Sequence, residues 1–303
     1  MSEVNQKDKM IGIEVSNSYL RAVCLDAEGQ LLDSDQVPFS RGDETTPQII
    51  NFINHLKDKF GNFEKVGIAV SGLVDRRKNR IALSSQIPID RDLAQEVKSA
   101  TEVEVFLEND ANAAAFGEYV QGAGRESKDI FYVLIGSGVG GAIIFNGKLW
   151  RGNAGFAGEF GHLAINSEGL KIEEVASNEG IVYRTRNRIH QDRTSSLYSL
   201  GEDNITIADI VREANQGDDF AQMMLERTGL YLGKAVGSVI NLLNIEKIIV
   251  GGKIMEAGEM VLKGINPNAR EFAFAPSFEA TEIVAGELGE NAVAIGVALL
   301  GSQ

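Results

Sequence analysis

Glu108-Asn109-Asp110-Ala111-Asn112-Ala113-Ala114-Ala115 is the stretch on which the reading of this chain turns. An apolar, strand-like run over residues 103–107 leads into it, and an alanine-rich, helix-forming run leads out. Open α/β sheets bind ligands outside the carboxyl ends of their strands, and small residues on the following helix let backbones approach closely. An acid at that junction is placed for chemistry. Asp110 also suits a helix cap, because Asp and Asn side chains accept the first free N–H groups of a helix.

Toward the N-terminus, apolar runs bounded by turn residues predict strands over 11–15, 19–26 and 31–38, paired as antiparallel hairpins. A helix is expected over 46–60, with Ile49, Ile50, Phe52, Ile53 and Leu56 on one face, followed by a buried strand over 65–70. Beyond Asp110 the plan repeats. Strands are expected over 131–135 and 141–145, and Asn146-Gly147 is a type I′ hairpin signal before 148–151. Helices follow over 207–215 and 219–240, then a strand over 247–250 that runs into Gly251-Gly252. The last apolar helix, 292–300, is long enough to return and pack on the first unit. Two α/β units of this kind would set a cleft between them, a common location for a ligand.

With 303 residues the chain can bury two ordinary cores. Its net charge of -14 and pI near 4.8 oppose a nucleic-acid surface, which needs clustered Lys and Arg. Arg76-Arg77-Lys78-Asn79-Arg80 reads as a solvated turn, and Arg184-Thr185-Arg186-Asn187-Arg188 as one exposed helix face. Cys24 is the single cysteine, which excludes an internal disulfide and a cysteine-based metal site within one chain. The first ten residues are polar, without the apolar stretch of a signal peptide, and no segment is apolar for long enough to span a bilayer. A cytoplasmic protein that does not engage membranes is expected.

Two glycine segments carry the remaining chemistry. Gly136-Ser137-Gly138-Val139-Gly140-Gly141 reads as a tight hairpin whose exposed N–H groups can cradle phosphate oxygens, or as an ordinary glycine turn. Gly251-Gly252 poses the same choice: room for a nucleoside against the backbone, or a simple strand-to-helix turn. In Gly158-Glu159-Phe160-Gly161-His162, a carboxylate and an imidazole three residues apart pair well with sugar hydroxyls. The competing reading is a surface turn with a solvated Glu and a packed His.

Together these segments resemble the ROK family (repressor, open reading frame, kinase), along nearly the whole chain. The family's N-D-A-N-A-A-A-x-G-E segment is matched from Asn109 to Glu118, its G-T-G-V-G-G turn from Gly136 to Gly141, and its R-G-x-x-G-x-A-G-E-x-G-H segment from Arg151 to His162. The resemblance implies an α/β fold of two ribonuclease-H-like domains of the actin/hexokinase superfamily around an interdomain cleft, spanning 1–117 with 290–303, and 118–289. It implies a glucokinase-like sugar kinase that uses ATP and Mg2+ and forms a homodimer. Asp110 would be the catalytic base. Gly72, Gln86, Asn109, Glu159, His162 and Glu173 would join it in holding a hexose. Glu14, Ser16, Asn17, Ser18, Gly136, Ser137, Gly138, Gly140, Gly251 and Gly252 would lie on the nucleotide side, with magnesium near Glu14.

The chain departs from the family at three places. The first phosphate loop, D-x-G-G-T, is here Glu14-Val15-Ser16-Asn17-Ser18, and glycine's easy access to positive φ is lost. The cysteines of the family's zinc loop are absent between His162 and Glu173, so no zinc is expected, and a hydrogen bond must fix the His162 tautomer instead. Gln86 stands where a sugar-binding asparagine is usual. A non-catalytic sugar sensor is therefore the alternative to a kinase. Repressors of the family carry a DNA-binding domain before the first strand; only ten residues precede Ile11 here, so no nucleic-acid partner is expected.

Overall fold

The computed structural model describes residues 9–42, 44–84, 87–89 and 91–303. Gln86 lies outside the described residues. The chain opens with β1 (Met10–Val15), β2 (Tyr19–Leu25), β3 (Leu31–Pro38), α1 (Thr45–Phe60) and β4 (Lys65–Val70). The small hairpin of β5 (Leu73–Asp75) and β6 (Arg80–Leu83) follows, then α2 (Leu93–Thr101), β7 (Glu104–Asn109) and α3 (Asp110–Gln121). Next come β8 (Ile130–Ile135), β9 (Val139–Phe145), β10 (Lys148–Leu149), α4 (Ile172–Ala176), α5 (Asn178–Ile189), α6 (Ile207–Asn215) and α7 (Asp219–Leu243). The chain ends with β11 (Lys247–Gly251), α8 (Met260–Phe272), α9 (Ala275–Glu279), β12 (Glu282–Ala285) and α10 (Ala292–Ser302).

The two larger sheets repeat one plan. The first has the order β3-β2-β1-β4-β7 and the second β10-β9-β8-β11-β12. In each, an antiparallel hairpin precedes strands that add in parallel, β4 on β1 and β7 on β4, then β11 on β8 and β12 on β11. Parallel addition needs a crossover connection, and α1 and α2 occupy the two in the first sheet. Asn146 and Gly147 both take positive φ, 48° and 75°, as a type I′ turn requires.

Two compact units result, Met1–Gly122 with Lys148–Ala157 and Glu290–Gln303, and Ala123–Gly147 with Gly158–Gly289. Residue 117, the expected boundary, lies inside α3, and the excursion Lys148–Ala157 has no counterpart in the expected scheme. In the first unit α1 buries Ile49, Phe52, Ile53, Leu56 and Phe60, a spacing of three and four that lays one face on the core; Ile50 is only partly buried. The alanines of α3 have a packing cause. A Cβ at Gly296 of α10 would overlap the carbonyl oxygen of Ala113, and one at Gly12 of β1 would overlap that of Ala294. α10 therefore lies with its backbone directly against both α3 and the sheet, which only small residues permit. In the second unit Phe131, Phe160, Ile181, Leu232 and Ile248 belong to one buried cluster.

The basic stretches are less solvated than their composition implied. Arg76 does stand in the β5–β6 turn, but its guanidinium lies 3.7 Å from the centre of the Phe106 ring and donates to the Leu107 carbonyl at 2.7 Å. On α5, Arg184 donates to the Val175 carbonyl at 2.9 Å and Arg186 to that of Ile205. These arginines satisfy free carbonyls beyond their own helix and do not form an exposed face.

Candidate active site

In the first unit the site grows from the end of β7. Glu108 is buried, 1% exposed, yet its carboxylate is fully engaged. Oε2 accepts from Arg151 at 2.6 and 3.1 Å, with the Arg76 guanidinium 3.8 Å away, while Oε1 accepts from the Asn109 N–H and the Asn112 amide. The next residue, Asn109, is still extended (φ -70°, ψ 144°) and is the N-cap of α3, its Oδ1 accepting from the Asn112 N–H at 3.0 Å. The cap expected of Asp110 is therefore Asn109's, because Asp110 is already helical. Asn109 Nδ2 donates to the Gly72 carbonyl at 3.0 Å and to Asp110 Oδ1 at 3.1 Å, and Asp110 Oδ1 also accepts the Ala111 N–H at 2.8 Å. Gly72, Asn109 and Asp110 are thus joined by hydrogen bonds. Gly72 has φ 146° and no room for a Cβ beside the Leu83 carbonyl. Glu108 and Arg151 were missed as organisers of this corner. Their signal was present in the two motifs, but the pairing joins residues far apart in sequence.

The first loop lies in the same unit. Its N–H at Ser16 donates to the Tyr19 carbonyl at 3.0 Å, making an ordinary tight turn between β1 and β2. Neither Ser16 nor Asn17 takes positive φ. Glu14 accepts from the Tyr19 hydroxyl at 3.1 Å, and its other oxygen, Oε2, is buried without a hydrogen bond, with Arg21 3.8 Å away. Burial pushes the Glu14 carboxyl up to about 7, against the opposing pull of Arg21 and Tyr19, with Asp110 and Glu290 adding smaller upward pushes. Asn17 Oδ1 is likewise buried and unpaired. Arg21 is held by Gln36 and by the side chain and carbonyl of Glu290.

The second unit brings together the other set. Gly136, Ser137 and Gly138 form the turn between β8 and β9, with the Gly136 N–H donating to the Gly138 carbonyl at 2.9 Å. Gly140 is not in this turn but in β9, opposite Leu134. The turn is pinned at both ends: the Val139 N–H donates to Glu173 Oε2 at 3.1 Å, and the Asn178 N–H to the Gly136 carbonyl at 2.8 Å. Glu159 begins the 3-10 turn Phe160–His162. Its carboxyl is pushed above the usual range, mainly by burial and also by Glu173, while His162 opposes the shift; the residue nevertheless keeps an exposed face. Glu159, His162 and Glu173 therefore share one electrostatic neighbourhood. Gly251 and Gly252 have a packing explanation, since a Cβ at the first would strike the Tyr132 hydroxyl and one at the second the Ile135 carbonyl.

The donor set for structural zinc is missing. Residues 163–172 contain no cysteine, and Cys24 is buried in β2. Among the described residues no group of three or more His, Cys, Asp and Glu is arranged to hold a metal. No described helix is long and apolar enough to cross a membrane.

Two α/β units on one repeated strand order, with an Asn-Asp pair at a strand's end in the first and a Glu-His-Glu set in the second, define an actin/hexokinase-like two-domain protein. Residues 10–303 match the model of the ROK family, and the chain belongs to that family. It is 30% identical over 295 residues to the xylose repressor of Bacillus subtilis, covering 95% of this chain and 75% of the repressor. It is 28% identical over 306 residues to the glucokinase of Halalkalibacterium halodurans, covering 94% of this chain and 92% of that enzyme. Among solved structures, the ROK family glucokinase from Streptomyces griseus in complex with glucose and AMPPNP matches with a TM-score of 0.88. Identity is 29%, over 97% of this chain and 99% of that one.

Proposed function

We propose that this protein is an ATP-dependent sugar kinase acting on a hexose, with Asp110 as its catalytic base. The observation that supports it best is the fixed Asp110 carboxylate, held at the first turn of α3 by the Ala111 N–H and the Asn109 amide. In this reading Gly72, Gln86, Asn109, Glu159, His162 and Glu173 hold the sugar. Glu173 does so while one of its oxygens stays committed to the Val139 N–H. Asp110 orients the attacking hydroxyl and takes its proton as the new O–P bond forms and the bond from the γ-phosphorus to the β,γ-bridging oxygen breaks, releasing ADP. Phosphoryl transfer through a loose transition state asks for positioning more than strong basicity, which suits a carboxylate that accepts hydrogen bonds.

The glycine turn at Gly136, Ser137 and Gly138 lies on the phosphate side of this scheme, together with Ser16, Asn17, Ser18, Gly140, Gly251 and Gly252. Magnesium, when bound with ATP, neutralises phosphate charge, and a hard cation of this kind commonly keeps its waters. Glu14 fits it through such a water, since Oε2 is a buried carboxylate oxygen without a hydrogen bond. The protein is further proposed to work in the cytoplasm as a homodimer, without a nucleic-acid partner. The test is enzymological. Magnesium-ATP with a panel of hexoses and amino sugars should give a sugar phosphate, and Asp110→Asn should cut turnover at least about a hundredfold while leaving the circular dichroism unchanged. No product from any sugar, with an active family kinase as control, would overturn the proposal.

A second reading, a non-catalytic sugar sensor, is favoured by one observation: Ser16 and Asn17 form a turn without positive φ, beside a Glu14 already engaged by Tyr19 and Arg21. Calorimetry separates the two. Sugar binding without ATP binding supports the sensor, and millimolar or tighter ATP binding counts against it.

A further inference from the structure

His162 has a partner that no family motif predicts. The segment between it and Glu173, where the family's zinc loop would stand, folds here as a small hairpin. The Ile165 N–H donates to the Leu170 carbonyl at 2.8 Å and the Ile172 N–H to that of Leu163 at 3.1 Å, with Ala164 bridged to Lys171. Asn166 closes the tip by accepting from the Leu170 N–H at 2.8 Å, and Gly169 takes φ 82° there. Lys171 is then fixed from the other side as the N-cap of α4, its N–H donating to Glu174 Oε2 at 2.7 Å. From that anchored backbone its Nζ reaches to 3.2 Å from His162 Nδ1.

The geometry points to Lys171 as a positioning residue that holds His162 Nδ1 as an acceptor and so leaves Nε2 as the ring's donor. The chemistry is one-sided. An ammonium only donates, so a hydrogen bond between these nitrogens requires the lone pair on Nδ1, and the neutral ring must then carry its proton on Nε2. Two carboxylates, Glu159 and Glu173, share the neighbourhood and offer acceptors. A ring locked as a donor completes a set that matches hydroxyls, which both give and take hydrogen bonds. A cationic side chain thus takes over, without thiolates, the tautomer-fixing task that falls to a metal where one is bound to histidine. The functional part of this inference rests on the sugar-binding reading of Glu159, His162 and Glu173. The hydrogen bond itself does not.

The test follows the imidazole nitrogens of the full chain by 15N NMR at pH 8, with the His162→Gln spectrum identifying the His162 signals among the three histidines. In the native protein Nδ1 is expected to resonate as an unprotonated nitrogen that accepts a hydrogen bond. Lys171→Met should move it to the position of a neutral ring without that bond, while Lys171→Gln, which keeps an N–H donor, should leave it near the native value. The same proteins are titrated with D-glucose. Lys171→Met should bind about threefold to tenfold more weakly, the effect of one hydrogen bond, with Lys171→Gln closer to native. A protonated Nδ1 in the native protein, or an Nδ1 signal unmoved by Lys171→Met, would overturn the inference. Glucose binding absent from the native protein, with the Nδ1 shifts as expected, would count against the sugar reading alone.

Discussion

Glu14 and Glu108 are glutamates of the first unit, the first partly buried with its Oε2 fully covered and the second wholly buried, each at a strand of the same sheet and each near arginine, yet their circumstances are opposite. Glu108 sits at the end of β7 with every oxygen engaged, by Arg151, the Asn109 N–H and the Asn112 amide. Glu14 on β1 has one hydrogen bond, from Tyr19, an Oε2 with none, and a 3.8 Å ion pair with an Arg21 whose hydrogen bonds go to Gln36 and Glu290. A buried carboxylate is tolerable when charge and hydrogen bonds replace the lost water. Glu108 meets that condition and serves as scaffold. Glu14 does not, and its carboxyl rises to about 7, the behaviour of a group that still lacks a ligand or a proton.

The largest expected effect of breaking this contrast is at the scaffold. Glu108→Ala would strand Arg151 and Arg76, and would leave the Asn109 N–H and the Asn112 amide without their acceptor. A loss of about 3–5 kcal/mol of unfolding free energy in urea is expected, the usual result of removing one partner of a buried pair. A loss below about 1 kcal/mol would show that the pair is as dispensable as a surface one.

At Glu14 the effect depends on pH, and its sign follows from the direction of the shift. Raised from 4.5 to about 7, the folded carboxyl holds its proton more tightly than the unfolded one. Between those values the folded state binds more protons, so stability is lost as pH rises from about 4.5 to about 7, by at most about 3 kcal/mol. Glu14→Gln should flatten that slope: similar to the native protein at pH 4, and more stable by about 1–3 kcal/mol at pH 8. An unchanged difference between urea midpoints at the two pH values would show that Glu14 does not titrate as its burial implies. Added magnesium-ATP sharpens the comparison, since a ligand that engages the ionised carboxylate should stabilise the native protein at pH 8 more than the variant.

The contrast was not legible in the sequence, although much around it was. Alternating apolar runs and Asn146-Gly147 marked the hairpins, because strand period and type I′ chemistry are local properties. Whether a glutamate is paired depends on residues brought from afar: Arg151 reaches Glu108 from another part of the chain, and Glu290 draws Arg21 from the C-terminal end. α8 carries Pro267 in its interior, so local propensity argued against a helix that tertiary packing nevertheless supports. Gly140, grouped with the phosphate turn by its motif, lies in β9 because pairing with Leu134 extends the strand to Val139. The second unit's hold on Glu173 was equally hidden, since a hydrogen bond to a backbone N–H leaves no mark on residue type.

The smallest effect on stability, and the most selective on function, is expected at Asn109, where residue type could not say which of two adjacent good caps does the capping. Backbone conformation decides it: Asn109 is extended and Asp110 is not. Asn109 does two jobs with two ends of one amide. Its Oδ1 caps α3 through the Asn112 N–H, and its Nδ2 bridges the Gly72 carbonyl and Asp110. Serine is as good a cap but lacks the amide donor, so Asn109→Ser should cost about 0.5–1.5 kcal/mol, the net worth of the lost bond to the Gly72 carbonyl, and Asn109→Ala, which loses the cap as well, about 1 kcal/mol more. If Nδ2 fixes the carboxylate for phosphoryl transfer, Asn109→Ser should lower kcat by about tenfold or more under conditions where the variant is fully folded. Equal turnover in Asn109→Ser and the native protein would confine Asn109 to the cap. Asp110 would then be positioned by the helix alone, through the Ala111 N–H.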